Sequence, residues 1–201
     1  DIVPTQFQRN ILNNANFVAE LISGMTVGSD TIDATYNYFA VAVGSVLGRV
    51  NDFMDDATIS LIAVSPVITN TDITNPSAPT SSVTSSDVIT TTTTWSSAKT
   101  ISSNTIIMSG ASVTVSAGVT ISIAPGKSIL VDGTFILSGT SGSKITVTRT
   151  GASGYWNSIV FTSNSVPAVY AADGTRSSGC GILHTNFQYG TSPLNIQSTS
   201  L

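Results

Sequence analysis

Apolar and polar residues alternate strictly along the second half of the chain, in short runs separated by turn residues. The apolar members of one such run share one face of an extended chain: Val119, Ile121 and Ile123. Thr120 and Ser122 share the opposite face. A period of two over three to five residues predicts a strand, and the dipeptides at 125–126 (Pro-Gly) and 132–133 (Asp-Gly) are typical of turns.

These predicted strands are too short for a conventional sandwich and suit a chain that turns a corner every few residues. A coil of about 20–25 residues lets neighbouring coils bury each other's inward aliphatic side chains. The side chains predicted to point inward are Ile101/Ile106, Val113/Val115, Ile121/Ile123, Ile129/Val131, Phe135/Leu137, Ile145/Val147, Ile159/Phe161, Ile182/Leu183/Phe187 and Leu194/Ile196. We expect Trp95 to cap the first coil and residues 163–178, which interrupt the spacing, to form a protruding loop.

The first third of the chain has a different periodicity. Between Thr5 and Met25 apolar residues recur at spacings of three and four, which predicts a helix. A second helix is predicted over residues 29–63, with Asp30 near its N-terminus and Pro66 after its end. The predicted fold is therefore mainly β, a right-handed parallel β-helix over residues 95–201, preceded by an α-helical module over residues 1–64.

An apolar seam runs along the second predicted helix in alternating steps of four and three, the spacing of a coiled coil. Its members are Ile32, Tyr36, Phe39, Val43, Val46, Val50, Phe53 and Ala57. Other faces of this helix are also apolar, and two helices alone do not cover both faces. This favours self-association through the seam as a dimer or trimer. The alternative is a helical hairpin in which the first helix covers the seam within one chain.

Residues 65–94 are rich in Pro, Ser and Thr and poor in large apolar residues, which is typical of a linker. The threonine run at 90–94 follows Val88 and Ile89, and we therefore predict that it forms a first strand. An O-glycosylated stalk is the alternative.

Only 9% of the residues are charged, and the net charge is −4. The seven Lys and Arg residues are scattered, which excludes the basic patch of a nucleic-acid-binding protein. Ser, Thr and Asn supply most of the polarity, as in β-rich surface and virion proteins. No apolar run is long enough to span a bilayer. The lone Cys180 excludes an internal disulfide framework and is interpreted as a small buried core residue.

No catalytic or metal-binding motif emerges from the acidic residues. Enzymes that cleave polysaccharides need clustered carboxylates, whereas residues 86–201 contain three acids: Asp87, Asp132 and Asp173. Asp132 and Asp173 precede glycines in predicted turns. His184 is the only histidine. The acids at 52, 55 and 56 lack the glycine and closing Glu of a calcium loop. We therefore assign no catalytic residue, metal ligand or cofactor.

Flat aromatic side chains are candidates for stacking on sugar rings. Tyr155, Trp156, Tyr170 and Tyr189 lie in the second half of the chain, and Tyr155, Trp156 and Tyr170 are the candidate glycan contacts. Tyr170, on the inserted loop, is expected to be the most exposed. For Trp156 the alternative is packing against a coil.

Several sequence segments resemble those of the right-handed parallel β-helix repeat proteins of bacterial surfaces and phage fibres. They are Trp95, GVTISIAPG at 118–126, the small-residue loop before Ile145, GYWNSIVF at 154–161 and SGCGILHTNFQYG at 178–190. The resemblance covers about half the chain and implies an architecture more than a function, since such proteins act as lyases, adhesins, fibres and stalks.

The first functional hypothesis is a non-catalytic structural protein of an extracellular or virion assembly, similar to a phage tail fibre or tailspike. Its partners would be further copies of itself, other structural proteins of the assembly and a cell-surface polysaccharide. The alternatives are a secreted adhesin or filament subunit, and a polysaccharide depolymerase whose active site lies beyond residue 201 or between chains. Because Leu194 and Ile196 begin a coil that no cap follows, we expect a longer fibre or a second copy to cover it.

Overall fold

The computed structural model describes residues 19–20, 32–39, 46, 50–51, 62–63, 66–69, 71–72, 74–75, 77–81 and 87–197. These residues form strands, turns and connecting segments, with no helix among them. The chain divides into two compact units, Asp1–Ser86 and Asp87–Leu201. The boundary between the units lies within the segment predicted as a linker.

Short strands pair within the first unit. They are β1 (Ala19–Glu20), β2 (Ile32–Asp33), β3 (Val50–Asn51), β4 (Ile62–Ala63), β5 (Val67–Ile68) and β6 (Thr80–Ser81). β1 pairs with β3 and β2 pairs with β4, both in parallel, whereas β5 and β6 are antiparallel. Strands β5 and β6 therefore give the predicted linker a local structure of its own.

The predicted N-terminal helices are wrong at the residues that the structure describes. β1 lies within the first predicted helix, and β2, β3 and β4 lie within the second. Ile32 pairs with Ile62, and Ala19 pairs with Val50. The β-branched residues of these pairs favour extended backbone. Their partners are about thirty residues away, so periodicity within a short window does not detect the pairing.

The helical geometry of the predicted oligomer interface is wrong at the interface residues that the structure describes. Ile32 and Val50 lie in strands, and Tyr36 lies in a turn with a backbone φ of 58°. Phe39 and Val46 are buried within the single chain. The remaining seam members lie outside the described residues: Val43, Phe53 and Ala57. Self-association itself stays a prediction.

Fifteen strands follow in the second unit. They are β7 (Val88–Ile89), β8 (Thr93–Trp95), β9 (Lys99–Ile101), β10 (Thr105–Ile107), β11 (Ser112–Val115), β12 (Thr120–Ile123), β13 (Ile129–Val131), β14 (Thr134–Ser138), β15 (Ile145–Arg149), β16 (Ile159–Phe161), β17 (Val169–Tyr170), β18 (Arg176–Ser178), β19 (Gly181–Leu183), β20 (Thr185–Phe187) and β21 (Leu194–Ile196). The prediction that the threonine run at 90–94 forms a first strand is confirmed only for Thr93 and Thr94, which lie in β8, after β7.

Thirteen of these strands form three parallel sheets. Sheet I has the order β21-β16-β13-β10-β7, sheet II the order β19-β14-β11-β8 and sheet III the order β20-β15-β12-β9. Along the chain, successive strands enter sheets I, II and III in turn, and then sheet I again. The antiparallel pair β17–β18 interrupts this order between β16 and β19. The prediction of a mainly β protein with parallel strands is confirmed.

One hydrophobic cluster takes side chains from all three sheets. The predicted inward pairs from Val113/Val115 to Ile159/Phe161 are buried in this cluster. Ile106 is an exception, because it stacks in register with Leu130 in a separate buried column, and Ile107 takes its place in the cluster. A shift of one residue along a strand exchanges its two faces.

The two ends of the stack differ in their cover. Trp95, in the first strand of sheet II, is buried with its ring centroid 5.8 Å from that of Phe135. The ammonium of Lys99 lies 5.5 Å from the centroid of the Trp95 ring. At the other end, the apolar residues of β19 and β21 are exposed: Ile182, Leu183, Leu194 and Ile196. These strands are the last of their sheets in the described part of the chain.

Candidate functional site

Three connections meet where the strands of sheet III end. Because these strands are parallel and in register, the segments that follow them lie at one edge. Gly126, after β12, donates its backbone N–H to the Tyr155 carbonyl at 2.9 Å. Trp156, after β15, donates its backbone N–H to the carbonyl of Tyr189, after β20, at 3.2 Å. The pairing of sheet III therefore brings together segments that are far apart in the sequence.

Trp156 is the buried anchor of this edge. Its side chain has 0% exposure, and its indole N–H donates to the Gln188 carbonyl at 2.7 Å. A Cβ on Gly190 would lie 2.8 Å from Cζ2 of Trp156, so only glycine leaves room for the indole. The prediction that Trp156 contacts a glycan is wrong, because a fully buried ring offers no face to a ligand. The alternative of packing against a coil is confirmed.

Arg149, the last residue of β15, links the loop that follows to Tyr189. Its Nη1 donates to the Gly154 carbonyl at 2.9 Å, and its Nη2 donates to the Ala152 carbonyl at 2.6 Å. The guanidinium carbon lies 4.1 Å from the centroid of the Tyr189 ring. Arginine stacks in this way because its planar cation is attracted to the face of an aromatic ring.

Two tyrosines at this edge are open to solvent. Tyr155 is 62% exposed and Tyr189 is 50% exposed. Tyr189 also has a backbone φ of 59°, a left-handed conformation that is costly for a bulky residue and that often marks functional sites. We name Arg149, Tyr155 and Tyr189 the aromatic corner.

The sequence predicted Tyr155 as a glycan contact and offered Tyr189 only as a flat aromatic side chain, and Arg149 was missed. The register of successive coils contained a signal for Arg149. Arg149 is the last residue of β15. Gln188, which precedes Tyr189, donates its backbone N–H to the Val147 carbonyl at 2.9 Å, so Tyr189 follows β20 close to the end of β15. Only an alignment of the coils would have placed Arg149 and Tyr189 at the same edge.

Tyr170 lies at a different place in the second unit. It belongs to the insert between sheets I and II, whereas the aromatic corner follows sheet III. Its ring is 61% exposed, as expected for a protruding loop. It borders an apolar depression of about 220 Å³. The depression is lined by Phe161, Ala168, Tyr170, Cys180, Gly181, Ile182 and Ile196.

The acids of this unit have local partners. Asp132 Oδ1 accepts hydrogen bonds from Thr162 Oγ1 at 2.5 Å and from Asn164 Nδ2 at 3.4 Å. Asp173 Oδ1 accepts from the Thr175 hydroxyl at 2.6 Å and from its backbone N–H at 2.9 Å. These bonds, led by the hydroxyl, lower the pKa of Asp173. Within the described ranges no three His, Cys, Asp or Glu side chains group as metal ligands.

The Cys180 thiol is part of the core, as predicted. Its sulfur accepts a hydrogen bond from the Phe135 backbone N–H at 3.4 Å and donates to the Gly133 carbonyl at 3.6 Å. Burial raises its pKa above the ordinary value. Because the thiolate is the reactive form, this thiol is a poor nucleophile.

Comparison of the chain with protein-family models, with curated proteins and with solved structures finds no match. Over the part of the chain that the structure describes, no helix has the length and apolar character needed to cross a lipid bilayer.

Proposed function

We propose that residues 87–197 form a right-handed parallel β-helix that serves as a non-catalytic structural and attachment protein of an extracellular or virion assembly. The observation that carries this proposal is the fixed order in which the chain enters the three sheets. Val113 pairs with Phe135 and Ile121 pairs with Val147, one coil later in each case. A stack of this kind is suited to a shaft, since each coil contacts only its neighbours.

The aromatic corner is the proposed attachment site. A tyrosine ring combines an apolar face with a hydroxyl, and it loses little conformational entropy on binding. Two exposed tyrosines beside a cation suit stacking on sugar rings, so the proposed partner is a cell-surface polysaccharide. This arrangement fits host attachment by a phage tail fibre or tailspike.

Binding of the 201-residue protein to a panel of immobilised cell-surface polysaccharides tests the proposal. We expect Tyr155→Ala and Tyr189→Ala each to weaken binding about threefold to tenfold, since an aromatic contact contributes about 0.5–1.5 kcal/mol. Tyr170→Ala is the matched control, because its ring is as exposed as that of Tyr155 but lies on the insert. Tyr170 is itself a candidate glycan contact, but a site at the aromatic corner predicts that Tyr170→Ala binds like the wild type.

Two results would contradict the proposal. Equal loss of binding in Tyr170→Ala would move the attachment site to the insert. Release of reducing ends from a bound polysaccharide, measured in the same samples, would replace the non-catalytic function with depolymerisation.

A further inference from the structure

The overall negative charge conceals opposite charges in the two units. Residues 1–86 contain two Arg and eight acids, which gives −6, whereas residues 87–201 contain five Lys or Arg and three Asp, which gives +2. The unit that carries the aromatic corner is therefore the positive one. A positive surface attracts anionic ligands and speeds their association.

Two of these five cations lie at the edge of the aromatic corner, one at the end of a sheet III strand and one in a turn that follows such a strand. Arg149 stacks on Tyr189, and Lys127 lies in the turn after β12, where its carbonyl accepts the Asn157 backbone N–H at 2.9 Å. The acids of the unit lie on other connections: Asp87 before β7, Asp132 between β13 and β14, and Asp173 in the insert.

The guanidinium of Arg149 retains donors for a ligand. It carries five N–H groups, and its bonds to the Ala152 and Gly154 carbonyls use two of them. Those bonds and the Tyr189 ring hold the guanidinium in one orientation. A fixed, planar group of this kind binds a carboxylate more selectively than a mobile ammonium does.

We propose that the aromatic corner selects an acidic saccharide, with the carboxylate of a uronic-acid residue on Arg149 and its sugar ring against Tyr155 or Tyr189. Lys127 adds positive charge to the same edge. This inference rests on the proposed attachment function and names the chemical class of its ligand.

Paired saccharides that differ only in charge test the selection. The probes are oligogalacturonate and its fully methyl-esterified form, titrated into the 201-residue protein at low salt. We expect the acidic form to bind at least about tenfold more tightly, as a hydrogen bond to a charged group predicts, and the ratio to fall as salt screens the charges.

Three variants locate the effect. Arg149→Gln should abolish the preference for the acidic form, and Arg149→Lys should restore only part of it, because lysine keeps the charge and lacks the planar fork. Lys144→Gln is the matched control: it removes the same charge next to the opposite end of β15 and should keep the full preference. Unfolding curves for each variant verify that the fold is retained.

Equal affinity of the wild type for the two forms overturns the inference and leaves the attachment function intact. Loss of the preference in Lys144→Gln as well as in Arg149→Gln also overturns it, because the effect would then come from net charge. Binding to neither form overturns the inference, and the attachment function fails with it only if the polysaccharide panel is negative too.

Discussion

At the scale of single residues, neighbours of the same chemical type have opposite roles. Tyr155 is largely exposed, whereas the indole of Trp156 is fully buried and donates to the Gln188 carbonyl. Successive side chains of an extended chain point to opposite sides, so composition alone does not separate the two roles. The sequence places the two rings side by side, and only the packing distinguishes the exposed ring from the buried anchor.

A pair of truncations checks this difference. Trp156→Ala should lower the free energy of unfolding by about 3–5 kcal/mol, since it removes a buried aromatic ring, whereas Tyr155→Ala should change it by less than about 0.5 kcal/mol. Denaturant unfolding measures both values. Similar losses in the two variants would contradict the assignment of Trp156 as the anchor.

At the scale of elements, the insert between β16 and β19 was predicted from the sequence as a loop but not in its internal structure. The sequence predicted a protruding loop over residues 163–178, and these residues are mostly exposed. The antiparallel pair β17–β18 within the insert has no alternation strong enough to predict it. Gly179 has a φ of 77°, and a Cβ there would collide with the Pro167 carbonyl, so glycine is required where the insert returns to the sheet.

The turn between β17 and β18 contains Asp173, and its hydrogen bonds predict the pKa of this carboxyl group. Because the Thr175 hydroxyl and backbone N–H stabilise the charged carboxylate, the pKa of Asp173 should lie below 3.8 in the folded protein. Thr175→Ala should raise this pKa towards 3.8, and Thr175→Ser should leave it low. A ¹³C NMR titration of the carboxyl group measures each value.

The lowered pKa of Asp173 makes the stability of the fold depend on pH. A lowered carboxyl pKa stabilises the fold above the unfolded-state pKa, and this contribution disappears as the pH falls through the folded-state pKa. An Asp173 pKa that is the same in wild type and Thr175→Ala would contradict the role of the hydroxyl.

At the scale of the whole molecule, position along the stack decides how much an inward residue contributes. Leu137 and Ile182 occupy the same column of sheet II, in register. Leu137 is fully buried, whereas Ile182, in the last strand of the sheet, is 37% exposed. The sequence predicts both as inward, and it does not distinguish a covered coil from an open one.

Leu137→Ala should therefore cost about 2–5 kcal/mol of unfolding free energy, and Ile182→Ala should cost clearly less because part of its surface already contacts water. Urea unfolding at low protein concentration measures the difference. Equal costs would show that Ile182 is covered in solution, which would contradict an open last layer.

The sequence by itself determined most of the β-strands of the second unit, most of their inward residues and the position of the insert. This was possible because strand alternation and turn dipeptides are local signals. It failed for the predicted N-terminal helices at the residues that the structure describes, where strand partners lie about thirty residues apart, and for Ile106, where the register differs by one residue. Only the tertiary structure decided that Arg149, Tyr155 and Tyr189 share one edge, because in-register parallel pairing brings together residues that no local pattern connects.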